Sequence, residues 1–562
     1  MIAGEVTRKD FLKGALAALG LGALGGRRLF AVPEGWTPPS GVPDLVFGVI
    51  SDTHIGKYPG SSVPCLKKVL GYFKKRGVQA VMHCGDISNW GEVWELQHIS
   101  DAWNSVFQSG SAEPVKLFVT GNHDYYGGDM DKRVETGNAN YYSALLYDNP
   151  ETGNGGVVGW VSDFLEPGYS DVWHKTVKGN SGKLYHFFGF GGDESSATLT
   201  ANGQAMAELV RQTRLSPEWD ESVPFFTVTH IPPNSAVNAA VASALGLSSG
   251  ELCYKGLGFY GHGHKNSSGW GAVIGWPTNA CFPQIQCGLL GWKQSNGESA
   301  YPMFAKGFGS GLAEGYDNGE FGEATRHGFL VSVYSEAVVI HRLDFGHPIA
   351  DAGDPGSVDF PSVGMDWVMS LGAISPDAHP FSMDSLKEAI GKPEFRPDAT
   401  LTVSWEEDVV RLTIPKADGN SESRVYGYNV EVSGEKGALR KNVYAKGYAY
   451  GLGFEPDGGV TTLVLQKSEL PSGNQLVFRV WPCSSLGTRG EPLALTSRAK
   501  ISVEKTVSRV AQGERFVLTE GAGLSPDAKL DLECPPWARK ICIENGEIVL
   551  YSKRYGLSVI LK

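Results

Sequence analysis

Nine residues in the first half of the chain could do chemistry together. They are Asp52 and His54 in Asp52-Thr53-His54, Asp86 after Gly85, Asn122, His123 and Asp124 after Gly121, His230 after Thr229, and His262 and His264 in Gly261-His262-Gly263-His264. Setting His123 and Asp124 aside leaves two carboxylates, one amide and four imidazoles. Those are the donors two divalent ions need when they share one carboxylate. Asp86 offers two oxygens, enough to bridge ions about 3.5–4 Å apart. In an extended segment residues i and i+2 point the same way, so Asp52 and His54 are expected to reach one ion. By the same spacing His262 and His264 should face one cavity. Asn122 adds a neutral carbonyl, and His230 precedes the stiff Ile231-Pro232-Pro233. The chemistry such a set performs is hydrolysis by water acidified between two metals. His123 is the candidate general acid. Asp124 is expected to orient its ring, with capping of the next turn as the alternative.

Each motif follows an apolar run. Asp44–Ile50, Ala80–His83, Val115–Thr120, Leu184–Phe190 and Phe225–Thr229 read as strands. Cys65–Arg76, Trp94–Phe107 and a stretch around Gln204–Thr213 have helical spacing. That alternation predicts an α/β domain with a sheet covered on both faces. In open α/β sheets the rim at the strand ends is where ligands bind. Taken singly, a strand-end aspartate is more often a cap or turn former. Five such motifs in one domain point to a shared site. Gly328–Val333 and Ala337–Leu343 predict a closing hairpin, whose Tyr334-Ser335-Glu336 turn would lie at the sheet edge. The insertions 129–180, 234–252 and 265–325 are expected to be irregular and to wall the pocket. Within them Trp270, Trp276 and Tyr301 could stack on a substrate, although loop packing accounts for them as well. Asp193 could line the pocket or form a turn.

The motif set resembles the calcineurin-like metallophosphoesterase superfamily, whose pattern is D-x-H, G-D, G-N-H-[DE], H and G-H-x-H. The resemblance covers residues 44–345. It implies a four-layer α-β-β-α fold and hydrolysis of phosphomonoesters or phosphodiesters by a hydroxide bridging two metals. Carried over, Asp52, His54, Asp86 and His264 hold one ion, and Asp86, Asn122, His230 and His262 hold the other. His123 meets the phosphoryl oxygen or the leaving group, with Asp124 behind it. Purple acid phosphatases carry a metal-binding tyrosine three residues after the Gly-Asp aspartate. Here that position is Asn89, so a tyrosinate site is not expected. Mn, Fe and Zn all suit these nitrogen and oxygen ligands.

A chain of 562 residues implies two to four domains. Residues 346–395, rich in Pro, Gly, Asp and Ser, read as a linker. Residues 396–505 change to short alternating strands, as expected of a β-sandwich. Gln475–Leu493 resembles the last two strands of a fibronectin type III domain, with Leu476 where a tyrosine is usual. Residues 506–562 read as a β-rich tail or small module. A cell-surface binding protein that uses these β domains, with the first domain as scaffold, is the rival reading.

The formal net charge of −12 disfavours nucleic acid as a partner, because phosphate neutralisation needs clustered Lys and Arg. A phosphate ester would be drawn by bound metal instead. Residues 1–31 read as an export signal. Thr7-Arg8-Lys9-Asp10-Phe11-Leu12-Lys13 resembles the bacterial twin-arginine motif, with Lys9 in place of the second arginine, and a general secretory signal is the alternative. No later run is apolar enough to span a membrane, so a periplasmic or extracellular protein is expected. Of eight cysteines, Cys281/Cys287 and Cys534/Cys542 could form local disulfides, with buried free thiols as the alternative, and Cys84 falls in a core strand.

Overall fold

The computed structural model describes residues 41–56, 59–107, 113–126, 144–264, 274–275, 280–291, 326–350, 357–363, 366–371, 392–406, 408–418, 425–446, 459–473, 475–484 and 488–498. Beyond these it describes 505–507, 515–517, 538–544, 547–552 and 559–561. The export-signal segment, Trp270, Trp276, Tyr301 and Cys534 lie outside the described residues.

A run with no polar side chain, Leu45–Ile50 (β1), is paired on both sides and nearly all buried. It is parallel to Ala80–Cys84 (β2), which is parallel to Val115–Val119 (β3). Phe47 and Gly48 show what the two faces of β1 do. The Phe47 ring meets Phe187 and Phe226 of a second sheet at centroid distances of 5.4 and 4.9 Å. A Cβ on Gly48 would strike Phe73, on helix Pro59–Lys75 (α1). The glycine therefore lets the helix sit close against the first sheet. Full burial of a ring such as Phe47 contributes roughly 1.5–3 kcal/mol. Helix Val93–Val106 (α2) packs beside α1, and Gly156–Phe164 (α3) against α2.

The second sheet contains Val172–Lys178 (β4), Leu184–Phe190 (β5), Phe225–Thr229 (β6), Gly256–Tyr260 (β7), Ile274–Gly275 (β8) and Gln284–Gln286 (β9), in the order β8-β9-β7-β6-β5-β4. Its middle strands are parallel and its edges antiparallel. Phe187 faces the first sheet. Its neighbour Phe188 joins Met206 and Val210 of Ser196–Arg214 (α4) and Val237 and Val241 of Ser235–Ala244 (α5) in a separate core. The first sheet is completed by the hairpin His327–Val333 (β10) and Ala337–Asp344 (β11) and by Trp367–Ser370 (β12), in the order β12-β11-β10-β1-β2-β3. The molecule thus has a mixed α/β N-terminal part.

Several expectations need correction. The 346–395 linker is partly sheet: β12 pairs with β11, and Phe360, Trp367, Met369 and Leu371 belong to the main core. The hairpin is therefore inside the sheet rather than at its edge. The insertions at 129–180 and 234–252 are not simply irregular, since they hold α3, β4 and α5. Cys281 and Cys287 are not bridged to each other. Cys287 lies with its sulfur 3.4 Å from that of Cys84, and both are fully buried free thiols.

The C-terminal region is β-rich. Strands Thr402–Trp405 (β13), Val409–Ile414 (β14) and Thr461–Gln466 (β17) form one sheet. Gly427–Ser433 (β15), Ala438–Tyr444 (β16), Gln475–Cys483 (β18) and Leu493–Arg498 (β19) form another. Alternate residues from both, including Val410, Leu412, Leu463, Val430, Phe478 and Val480, share one buried cluster. No described helix is long and apolar enough to cross a membrane.

Candidate metal centre

The donor residues lie just past the C-terminal ends of β1, β2, β3, β6 and β7, on one rim of both sheets. None of the Asp-x-His or Gly-His-x-His residues got there by continuing an extended strand. Asp52, His54, Asp86, His262 and His264 all have positive φ, between 40° and 67°. They are the only described non-glycine residues that do so. An L-residue costs roughly 1–2 kcal/mol in this region, and such conformations collect where a site demands a particular side-chain direction. The i, i+2 argument therefore reached the right pairing for Asp52 and His54 by the wrong geometry. His262 and His264 fall in different clusters, which adjoin through Asp86.

One cluster is Asp52, His54, Asp86 and His264; the other is Asp86, His230 and His262. Within each, the donor atoms lie within 4.8 Å of one another. His264 Nε2 is 3.2 Å from Asp52 Oδ1 and 2.9 Å from His54 Nε2. His230 Nε2 is 3.1 Å from Asp86 Oδ2. Asn122 Oδ1 lies 3.1 Å from both His230 Nε2 and His262 Nδ1, and so joins the second cluster. Asp86 Oδ2 is buried with no hydrogen-bond donor, between His54 Nε2 at 3.5 Å and His230 Nε2. Buried carboxylate oxygens are ordinarily satisfied. An oxygen set between two nitrogen-rich clusters fits a bridging ligand, and the mixed nitrogen and oxygen donors fit borderline divalent ions.

Backbone and side chains outside the motifs hold this set. Asp86 Oδ1 accepts from the His123 amide at 2.9 Å, and Asp52 Oδ1 from the His262 amide at 3.2 Å. The Cys84 carbonyl takes His230 Nδ1 at 2.8 Å, which turns Nε2 toward Asp86. Ser51 Oγ donates to Asp52 Oδ2, and Gln286 Nε2 to the Gly261 carbonyl at 3.1 Å. Ser51 and Gln286 had no motif to mark them. Their only sequence signal is their place beside a strand end.

Burial would raise the Asp86 carboxyl, but the positive charge on His230 brings it down to about 2. His230 is the reverse case. Its burial would lower it, yet the Asp86 charge carries it up to about 9. His54 is pushed down to about 4 by burial, against the pull of Asp52 and Asp86. Metal ions would replace the protons that otherwise balance these carboxylates.

His123 and Asp124 do not pair. His123 Nδ1 donates to the Asn89 carbonyl at 2.8 Å, and its ring lies 4.4 Å edge-on from His54. Asp124 is fully buried and accepts from the amides of Gly121, Ile87 and Ser88 and from Ser88 Oγ. It ties the β2 and β3 loops together, so the ring-orienting expectation is replaced by the capping alternative. Burial, and then the Asp86 charge, raise it to about 6. Asp193 forms a turn, accepting from the Ser195 amide at the start of α4.

Residues 45–266 match the family described as calcineurin-like phosphoesterase. This part of the chain is similar to calcineurin-like phosphoesterases. The match contains every candidate ligand of both clusters. No curated protein matches the chain. Among solved structures, a dimetal phosphatase from Danio rerio is 12% identical, covering 59% of this chain and 100% of its own, with a TM-score of 0.30. The inner-membrane-complex anchor of Plasmodium is 10% identical over 56% and 88%, at 0.30. A purple acid phosphatase from yellow lupin is 10% identical over 61% and 58%, at 0.33.

Proposed function

We propose that the phosphoesterase domain hydrolyses phosphomonoesters or phosphodiesters with two divalent ions. Asp52, His54, Asp86 and His264 would hold one ion, and Asp86, Asn122, His230 and His262 the other. The single observation that carries this is Asp86 Oδ2, buried without a donor between the two clusters. Bound there, Mn, Fe or Zn would supply an acidified water and neutralise the charge on the phosphoryl oxygens. The chain's own residues supply direction. The Cys84 carbonyl and Asp86 fix His230. The Asn89 carbonyl engages His123 Nδ1, which leaves Nε2 as the ring nitrogen to hand a proton to the leaving oxygen. Asp124 holds the backbone on which Asn122 and His123 sit.

The test is a panel of phosphate monoesters and diesters against metal-reconstituted full-length protein, with Asp86→Asn beside it. Turnover by the natural protein and its loss in the variant are expected. Full turnover by the variant would sink the mechanism.

We read the N-terminal domain as the four-layer α-β-β-α sandwich. The opposed directions of Phe47 and Gly48, and of Phe187 and Phe188, support that reading. We read 396–505 as a fibronectin type III-like module, supported by its three- and four-stranded sheets around one core. Export through the residue 1–31 signal is part of the same proposal, and fractionation of a tagged full-length chain tests it.

A further inference from the structure

Asn122 is the least self-sufficient of the proposed ligands. An amide can turn over in place, exchanging its oxygen for its NH2 with almost no change of shape. Only one orientation gives a metal a lone pair. In that orientation the NH2 must find an acceptor in a site where Asn122 is 4% exposed. The acceptor is the phenol of Tyr126, with Nδ2 3.2 Å from its oxygen. The same Tyr126 ring lies against the His123 imidazole, at 4.3 Å between centroids and 38° between planes. Tyr126 itself is pinned by its amide to the His123 carbonyl at 3.2 Å. No motif reaches this residue.

We infer that Tyr126 is the positioning residue of the second ion site, its phenol holding the Asn122 amide with the oxygen inward. The inference rests on the two-ion reading above. Without the phenol the inward-oxygen orientation leaves a buried N–H unpaired, whereas the reversed amide can donate to His262 Nδ1. The amide then turns its nitrogen into the site and must turn back before a metal can bind. The first cluster contains no amide and is indifferent to this. The ring against His123 is a separate contact that phenylalanine preserves.

The experiment is stepwise titration of chelator-stripped full-length protein with Mn2+, followed by calorimetry and by the electron paramagnetic resonance of free Mn2+. The natural protein should show two steps. In Tyr126→Phe one step should weaken by about tenfold or more, the usual effect of removing a partner behind a ligand, while the other is unchanged. In Asn122→Asp the ligand has an oxygen on either side. Adding Tyr126→Phe to it should therefore cost nothing further, a non-additivity that a merely structural role does not produce. Two intact steps in Tyr126→Phe, equal weakening of both, or the same loss in the Asn122→Asp background would overturn the inference and leave the two-ion reading standing. Fewer than two steps in the natural protein would overturn both.

Discussion

His123 is held by the main-chain carbonyl of Asn89, 2.8 Å from its Nδ1, although the aspartate that follows it in sequence is the obvious partner. The two neighbours therefore have separable duties. His123→Ala should lower kcat by about 10²–10⁴, change the urea midpoint by less than about 1 kcal/mol equivalent, and retain metal. Asp124→Ala strips an acceptor from three buried amides. At roughly 1–3 kcal/mol for each unpaired group, it should destabilise the fold by at least about 3 kcal/mol. Urea unfolding with parallel kinetics distinguishes them. A His123 variant with the larger stability loss contradicts the assignment.

Gly121 leaves no room for a side chain. A Cβ there would press on Asp86 Oδ1 and lie 2.7 Å from His230 Cδ2, two contacts with the proposed shared ligand and its partner. Gly121→Ala should cost most of the bound metal, as measured by elemental analysis after gel filtration. Gly71→Ala is the control: it sits in α1 with nothing within 4 Å. It should keep its metal and gain up to about 1 kcal/mol of helix stability.

Strain at the ligands can be measured directly. His262 is exposed and has φ of 67°, so replacing it loses little packing. His262→Gly should stabilise the metal-free protein by about 1 kcal/mol while removing the ion held by the second cluster. Thermal melts with and without chelator report both effects. A lower melting temperature in the chelated variant would show that the left-handed backbone is not strained.

Acid sensitivity should also arise away from the metals. His174 and His186 stack between β4 and β5, with His174 Nε2 3.0 Å from His186 Nδ1. Burial pushes His174 down to about 4, helped by His186, and burial also lowers His186. Both are neutral when folded, whereas an unfolded histidine takes up a proton near pH 6.5. Stability is thus fully present above about 6.5 and falls as pH drops toward 4. His174→Gln should flatten the urea midpoint against pH across that window, relative to the natural protein. An unchanged slope would refute the assignment.

The sites of chemistry were easier to read than the frame around them, for reasons visible in particular residues. Asp52, Asp86, Asn122 and His230 each end an apolar run, and in a parallel sheet that places them on one rim. The partner of Asp124 could not be read, because it is backbone from Ile87 and Ser88, more than thirty residues earlier. β7 is Gly-Leu-Gly-Phe-Tyr, whose two glycines hide a strand made viable only by its neighbours. The Trp367–Ser370 edge strand hides in a stretch whose composition suggests a linker. The left-handed turns leave no trace in sequence, since aspartate and histidine stand where glycine would have announced them.

His54 and His264 are 210 residues apart in the chain, and their ring nitrogens are 2.9 Å apart in the fold. During synthesis the last ligand emerges long after the first, and Asp86 can serve neither ion until both sheets have closed on each other. A growing chain therefore has no cage in which to trap whatever cation it meets. In the two-ion reading, the identity of the metal is decided where and when folding finishes, by the ions present at that moment.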